Sequence, residues 1–366
     1  MKFLKKIDLY ILRYYLGTFF FMVLLLALVA LVIDFSEKIE DFTGLDSPSI
    51  NQVIFDYYLN FIPFIISLLF PLCTLITVIF FTARLANTSE IISMIGNGIS
   101  FYRLLVPYMI GAFVIAGLHY VGNHYIFPIS SKARVNFENQ YVWKHNYEGT
   151  SKNIHMIIGK GQEVYMNYFG RNTDDASQFC LMRYDSTGIY RYATIHAQRA
   201  KLVEPDSNLW RLFHYRIRTL DGRKETLTTG KQLDTLINLK KEDLVRRDNL
   251  KETMTTAELR AFISRENERG SGVSIPFLVE QHKRTANPFS IFILTLIGVA
   301  VSSRKVRNGL GWSLITGVGL GALYIFTQQF STTFSTNANF PPVLGAWFPN
   351  ILFSFIALYM IAKAQK

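Results

Sequence analysis

The chain has 366 residues; half are apolar and 14% aromatic, while only 18% are charged, against roughly 25% in an average soluble protein. Thirty Phe, 19 Tyr and a mean hydropathy of +0.20 exclude a disordered, collagen-like or disulfide-stapled chain. A net charge of +11 would point to nucleic acid in a soluble protein, but in a membrane chain it reflects orientation, so its distribution decides.

Apolar runs come first. Ile11–Ile33 carries one charge, Arg13, and Phe61–Phe81 and Leu104–Leu118 carry none. After a long polar stretch, Pro288–Ser303, Leu310–Phe330 and Ala346–Ala362 are also uncharged. A helix rises 1.5 Å per residue, so about 20 residues cross a hydrocarbon core of ~30 Å. The third and fourth runs reach that length only with flanks such as Tyr102–Arg103, His119–Val121 and Arg284–Asn287. The expected fold is therefore an α-helical membrane protein of six spans, 3+3, at about 11–33, 61–82, 102–122, 286–303, 310–330 and 346–363. The first run is too long for a cleaved signal peptide, and Asp34-Phe-Ser-Glu37 after it offers no small-residue cleavage site.

Short-loop charges set the orientation. Eleven Lys/Arg fall on one side, among them Lys2, Lys5, Lys6, Arg13, Arg84, Arg103, Arg304, Lys305 and Lys363, and one, Lys38, on the other. Both termini are thus expected in the cytoplasm, with the segment between spans three and four outside, in the periplasm of a Gram-negative inner membrane. Residues 1–124 and 286–366 make the two transmembrane halves, and 125–285 an inserted domain.

The inserted segment reads as β. Turn signals recur at Gly159-Lys-Gly161, Gly170–Asp175, Asp185-Ser-Thr-Gly188, Glu204–Asn208 and Asp221-Gly222. Leu209–Leu220 alternates, with Phe213, Tyr215 and Ile217 against His214, Arg216 and Arg218, which predicts a half-buried antiparallel strand. A helix is expected over about 256–268, where Thr255-Thr-Ala-Glu258 forms a capping box. Cys73 falls in a span and Cys180 in the inserted domain, so the two cannot pair.

Catalytic signatures are absent. There is no Gly-x-x-x-x-Gly-Lys-Ser/Thr loop, His-Glu-x-x-His or Cys-x-x-Cys, and the seven His are scattered. Almost no ionisable residue lies within the spans, so no proton relay is visible. No catalytic residue, metal site or bound cofactor is expected, and any energy input must come from a partner.

Four segments stand out. In the loop Ala83–Arg103, Asn87, Thr88 or Ser89 precedes Glu90, and Ile91, Met94 and Ile95 form an apolar stripe ended by Gly96 and Gly98. That predicts a helix over about 86–97, read either as lying on lipid or as docking on a cytoplasmic protein. In span five, Gly317-x-x-x-Gly321 matches a small-residue packing motif, read as internal packing or as a seam with another subunit. Its outer half turns aromatic at Tyr324, Phe326 and Phe330. Pro341-Pro342 before Trp347 reads as a rigid interfacial turn that bars helix before Val343. Asp34, Glu37, Glu40 and Asp41 with Lys38 form an acidic lip beyond span one, either simply solvated or a cation-bridged phosphate contact.

In this order the strings Ser89-Glu90…Gly98-Ile99-Ser100, Met254-Thr-Thr-Ala-Glu-Leu259, Lys283-Arg284…Pro288 and Pro341-Pro342…Gly345-Ala346…Pro349-Asn350 resemble the LptF/LptG (YjgP/YjgQ) permeases across nearly the whole chain. Ile7-Asp-Leu-Tyr-Ile11 and Tyr192-Ala-Thr…Leu209-Trp-Arg-Leu212 look more like LptG than LptF. The resemblance implies an ABC-transporter permease that pairs with a sister LptF/LptG-type subunit on an LptB-like ATPase dimer, which binds the ATP and Mg. The pair would extract lipopolysaccharide and pass it to LptC/LptA-like periplasmic bridge proteins, with no nucleic acid involved. It implies a jellyroll-type β domain open to acyl chains, and a coupling helix in which Arg84, Glu90, Ile91, Met94 and Gly98 face the ATPase. Spans one and five would border a lateral gate, with Phe20, Leu24, Asp34, Lys38, Gly317, Gly321, Tyr324, Phe326 and Phe330 as substrate or gate residues. One departure is Asp34, where LptG proteins can carry a basic residue; this either removes direct phosphate binding at that position or shifts it to Lys38. A membrane-anchored periplasmic scaffold or binding protein, or the LptF-like sister, remains the alternative reading.

Overall fold

The computed structural model describes all residues except 1–4, 45–46, 143–149, 171–172, 186, 204–207, 240–243, 245–249, 270–274, 304–308, 339 and 365–366. Lys2, the basic loop of Arg304, Lys305 and Arg307, and parts of three turn signals lie outside the described residues. The chain divides into two units. One holds residues up to Phe137, Glu252–Thr256 and Ile275–Lys366; the other holds Glu138–Lys251 and Ala257–Ser274.

The first unit is helical. In chain order it contains α1 (Lys6–Thr43), α2 (Ile50–Asn87), α3 (Glu90–Gly96) and α4 (Phe101–Tyr141), whose last residues enter the other unit. The chain returns through α5 (Leu250–Thr253) and α6 (Thr256–Arg269), then α7 (Ile275–Ser302), α8 (Gly309–Asn337) and α9 (Pro342–Ala364). Five of these, α1, α2, α4, α7 and α9, are long and apolar enough to cross a membrane. The sixth, α8, has 29 residues without a charge, and about 43 Å of helix is ample for the same purpose.

Most helices outrun their apolar cores, for local reasons. α1 continues to Thr43, so the acidic lip lies on helix, where Asp34 and Lys38 pair at i,i+4 (2.9 Å). α7 begins at Ile275 rather than 286, carrying a second i,i+4 pair, Glu280–Arg284 (3.1 Å). α4 passes the expected end at 122 through a wide π turn, Gly122–Ile126; Pro128, which has no N–H to give, lies two residues beyond it. The turn expected before Val343 is shorter than anticipated because Pro342 opens α9 as its first residue, a position where a missing N–H costs nothing.

Where lipid surrounds a bundle, helix association rests on close packing and hydrogen bonds more than on expulsion of water. Ile11, Tyr15, Phe19, Val23 and Ala27, each four apart, form the inward stripe of α1. The Tyr15 ring fills the space left by Gly111 of α4, and its hydroxyl lies 3.1 Å from Thr295 Oγ1 of α7. Thr82 Oγ1 donates to the Tyr108 hydroxyl at 2.9 Å. These tie α1, α2, α4 and α7 around one core.

The second unit carries one six-stranded antiparallel sheet: β1 (Thr150–Gly159), β2 (Gln162–Gly170), β3 (Asp175–Tyr184), β4 (Arg191–Leu202), β5 (Leu209–Asp221) and β6 (Lys224–Leu236). Each turn signal named above falls between two strands. Among the described residues the strands pair in sequence order, a meander without the crossovers of a Greek-key jellyroll.

A flat meander would leave one apolar face bare, but this sheet is creased. The buried residues are spaced by three instead of two at one point on each inner strand: Met166 to Phe169, Ala176 to Phe179, Ala197 to Ala200, and Leu212 to Tyr215. Ladder pairing skips this line on every strand pair, where Asn153, Asn167, Gln178, Gln198, His214 and Lys231 stand opposite one another. On alternate strands, Asn153, Gln178 and His214 adopt positive φ (53°, 50° and 51°), which flips the pleat so that both arms turn their apolar side inward onto Trp210. An L-residue in that region is strained by about 1 kcal/mol. Gln178→Gly or His214→Gly should therefore raise the unfolding temperature of the intact protein, while Gln198→Gly, in ordinary extended backbone, should lower it.

Candidate functional site

Two clusters lie at opposite ends of the helical unit. At one end, the short helix α3 is held from both sides by the flanking turns Thr88–Ser89 and Asn97–Gly98. Ser89 adopts positive φ (62°), and Thr88 Oγ1 donates to Glu90 Oε1 at 2.9 Å. The other carboxylate oxygen accepts from the Tyr10 hydroxyl of α1 at 3.1 Å. The exit is a Schellman turn: the N–H of Gly98 reaches the Ile95 carbonyl (3.0 Å) and that of Ile99 the Met94 carbonyl (3.2 Å). Gly98 sits at φ 83°, so the residue singled out for coupling acts as the cap that stops the helix.

A neighbouring clamp fixes α1 to α4. Arg103 donates to both Asp8 oxygens (2.9 and 2.5 Å), and Asp8 also accepts from the Lys5 N–H at 2.7 Å. Such a fork on a side chain 5% exposed is a strong, directional contact. Sequence reasoning passed over Asp8 and Tyr10 as site residues, although both lie in the string Ile7–Ile11.

The apolar stripe of α3 divides in two. Ile91 is 1% exposed and Met94 packs beside it on the bundle core, so these two anchor the helix to its own protein. Ile92 and Ile95 point away, at 53% and 45% exposure. The outward face is thus Ile92 and Ile95, with Ile92 missed in the sequence. Arg84, in the last turn of α2, is exposed.

At the other end, polar groups from distant strings meet inside the bundle. Arg284 is buried and donates to Glu280 Oε1 (3.1 Å) and to Thr256 Oγ1 (3.3 Å). His124 Nδ1 lies 3.0 Å from the same hydroxyl, and Asn123 donates to the Arg284 carbonyl at 3.4 Å. Nearby, Asn350 donates to the Ala286 carbonyl (2.7 Å) and accepts from the Tyr324 hydroxyl (2.8 Å). Three of the strings that carried the resemblance therefore supply these contacts: Arg284 bonds Thr256, and Asn350 bonds the α7 backbone two residues further on.

This placement sorts the expected gate residues. Gly317 and Gly321 take the side chains of Ile79 and Leu75 of α2 into the space a Cβ would fill, the latter at 2.9 Å, so they are internal packing. Tyr324, 1% exposed, stacks edge-on against Phe353 at 5.1 Å and is core. Lys38 is taken up by Asp34, the Tyr57 hydroxyl and the Tyr57 ring face (4.7 Å), which leaves its charge neutralised rather than presented to a phosphate. Phe326 and Phe330 are exposed and stack in a row with Phe334, centroids 6.4 and 5.9 Å apart. Phe20 and Leu24 are exposed on α1. α1 packs on α2 and α4, and α8 on α2, α7 and α9, so α2 borders both apolar faces.

A family model described as lipopolysaccharide export system permease LptF/LptG matches residues 9–363. The chain belongs to the LptF/LptG family. No curated protein matches the chain. As an LptF/LptG permease it is a multi-pass membrane protein of lipopolysaccharide transport, and the match spans both helical halves and the inserted β domain.

Proposed function

We propose that this LptF/LptG protein is one permease subunit of an ABC transporter that lifts lipopolysaccharide out of the inner membrane, driven by a separate ATPase. Both termini and α3 lie in the cytoplasm, and the β domain in the periplasm, as the eleven-to-one charge bias supports. The strings Ile7–Ile11 and Leu209–Leu212 support the LptG-like half, with an LptF-like sister completing the pair and LptC/LptA-like proteins receiving the cargo.

The observation that carries this reading is α3: a short helix between two spans, pinned through Glu90 and Gly98, with two isoleucines turned outward. It has the form of a lever that transmits a push, because Tyr10 and Ile91 link it to α1 and to the core. An acyl-rich lipid is held by roughly 0.8 kcal/mol per buried CH₂, so extraction needs an apolar surface that replaces the bilayer. The aromatic row of α8 and the bare face of α1 around Phe20 and Leu24 supply such surface, left open in one chain for the sister subunit to close. Closure driven from below would expel the lipid upward, since its affinity for the open state exceeds that for the closed one.

Glu90→Lys tests the lever. It removes the acceptor for both Tyr10 and Thr88, while Ile91 and the Gly98 cap keep the helix in place. Membrane insertion should match wild type, with ATP-coupled lipopolysaccharide release reduced by about tenfold or more. Unchanged release would reject Glu90 as a coupling contact. Wild-type protein purifying from native membranes without any ATPase would reject the ABC reading in favour of a membrane-anchored scaffold.

A further inference from the structure

Beside α3 lies a cleft of about 870 Å³ between one face of α1 and the end of α2. Its α1 wall is a single stripe at i, i+3, i+4 spacing that runs from Lys6 through Tyr10 and Arg13 to Phe21; Phe80 and Arg84 of α2 complete it. The lining is graded. Lys6, Arg13 and Arg84 gather at the end nearer α3, while Gly17, Phe21 and Phe80 form the end nearer the bundle middle. Tyr14 bridges the two, its ring stacked on Phe81 at 6.0 Å.

Three cations on two helices converge here, and none forms an ion pair among the described residues. Each is exposed, so its long side chain can reach toward the membrane surface. At Gly17 a Cβ would meet nothing within 4 Å, so the apolar end is an open groove rather than a packed seam. We propose that this cleft binds an anionic glycerophospholipid, its phosphodiester held by Arg13, Arg84 and Lys6 and one acyl chain lying along Gly17, Phe21 and Phe80.

Charge and shape both select this occupant. Guanidinium groups fork onto phosphate oxygens, and tyrosines suit the depth where headgroup gives way to chain. The volume exceeds what a bare phosphate fills and falls in the range of sites that take a headgroup with part of its chain. Tyr10 lines the cleft and also holds Glu90, so the bound lipid would sit against the contact that positions α3. The inference needs only the fold and its membrane setting, and stands apart from the transport reading.

The test uses the protein purified with its accompanying subunits, reconstituted in nanodiscs of equal phosphatidylglycerol and phosphatidylcholine, with retained lipid measured by native mass spectrometry. Wild type should retain phosphatidylglycerol over phosphatidylcholine by about tenfold. Arg13→Glu with Arg84→Glu should abolish that preference, and Gly17→Leu, which fills the groove without changing charge, should lower retained phosphatidylglycerol. No preference in wild type, or a preference that survives both variants, overturns the proposal. So does displacement of the lipid by excess inorganic phosphate, which would mark a plain anion site, or loss of a protein subunit from the charge variant with lipid unchanged, which would mark a protein-docking face.

Discussion

With Ile92 and Ile95 both changed to aspartate, the protein should insert and fold as wild type but lose the ATPase partner proposed above, affinity falling about a hundredfold or more. Both side chains are half-exposed on the outward face of α3, so a charge there is solvated in the free protein and costs nothing to folding. In a docked complex the same carboxylates would be buried without partners, which is among the most costly changes an interface can suffer. Ile91→Asp gives the contrasting outcome. Ile91 is buried on the core with Leu104 and Leu105, so its charge would expel α3 and lower yield of folded protein. Co-purification and melting temperature for the two variants separate docking from folding; equal ATPase recovery from both would contradict the assignment of faces.

Arg284→Ala should destabilise the helical unit by about 3–5 kcal/mol, the usual cost of removing one member of a buried pair. Glu280 would be left at 16% side-chain exposure without its ion-pair partner, and the Thr256 hydroxyl, which His124 Nδ1 also contacts, would lose a donor. Arg284→Lys keeps the charge but not the fork that reaches Glu280 and Thr256 together, so an intermediate loss is expected. Because Thr256 opens α6, the effect should also show as faster proteolysis around residues 250–256, measured against Lys363→Ala as a control near the chain end. A melting temperature unchanged in Arg284→Ala would mean that the network is incidental to stability.

Much of this architecture is legible in the residues, and the exceptions have physical causes. Uncharged runs announce the helices, and Gly, Pro, Asp and Asn clusters mark all five β connections because turn backbone demands those residues. Helix ends are poorly legible, since a charged turn such as Asp34–Lys38 or Glu280–Arg284 continues a helix when its charges pair four apart. The crease is hidden because period two fails there: a strand that changes face at His214 reads as a regular alternation on either side but not across it. On α3, four of five residues from Ile91 to Ile95 are apolar, too wide an arc to show which side faces home. The contacts of Asp8 with Arg103 and Tyr10 with Glu90 join residues 95 and 80 apart, and no local pattern announces them. Gly317-x-x-x-Gly321 fits internal packing because small residues serve any close helix pair, and here α2 is the nearer partner.

The central claim is that a push on α3 from a separate ATPase drives lipopolysaccharide out of the bilayer. Its most direct test is the release of lipopolysaccharide from proteoliposomes holding the complete complex, followed with and without ATP, for wild type and for Ile92→Asp with Ile95→Asp. Release that requires ATP in wild type and falls to the ATP-free level in the double variant is the predicted result. Release independent of ATP, or undiminished in the double variant, would contradict the account.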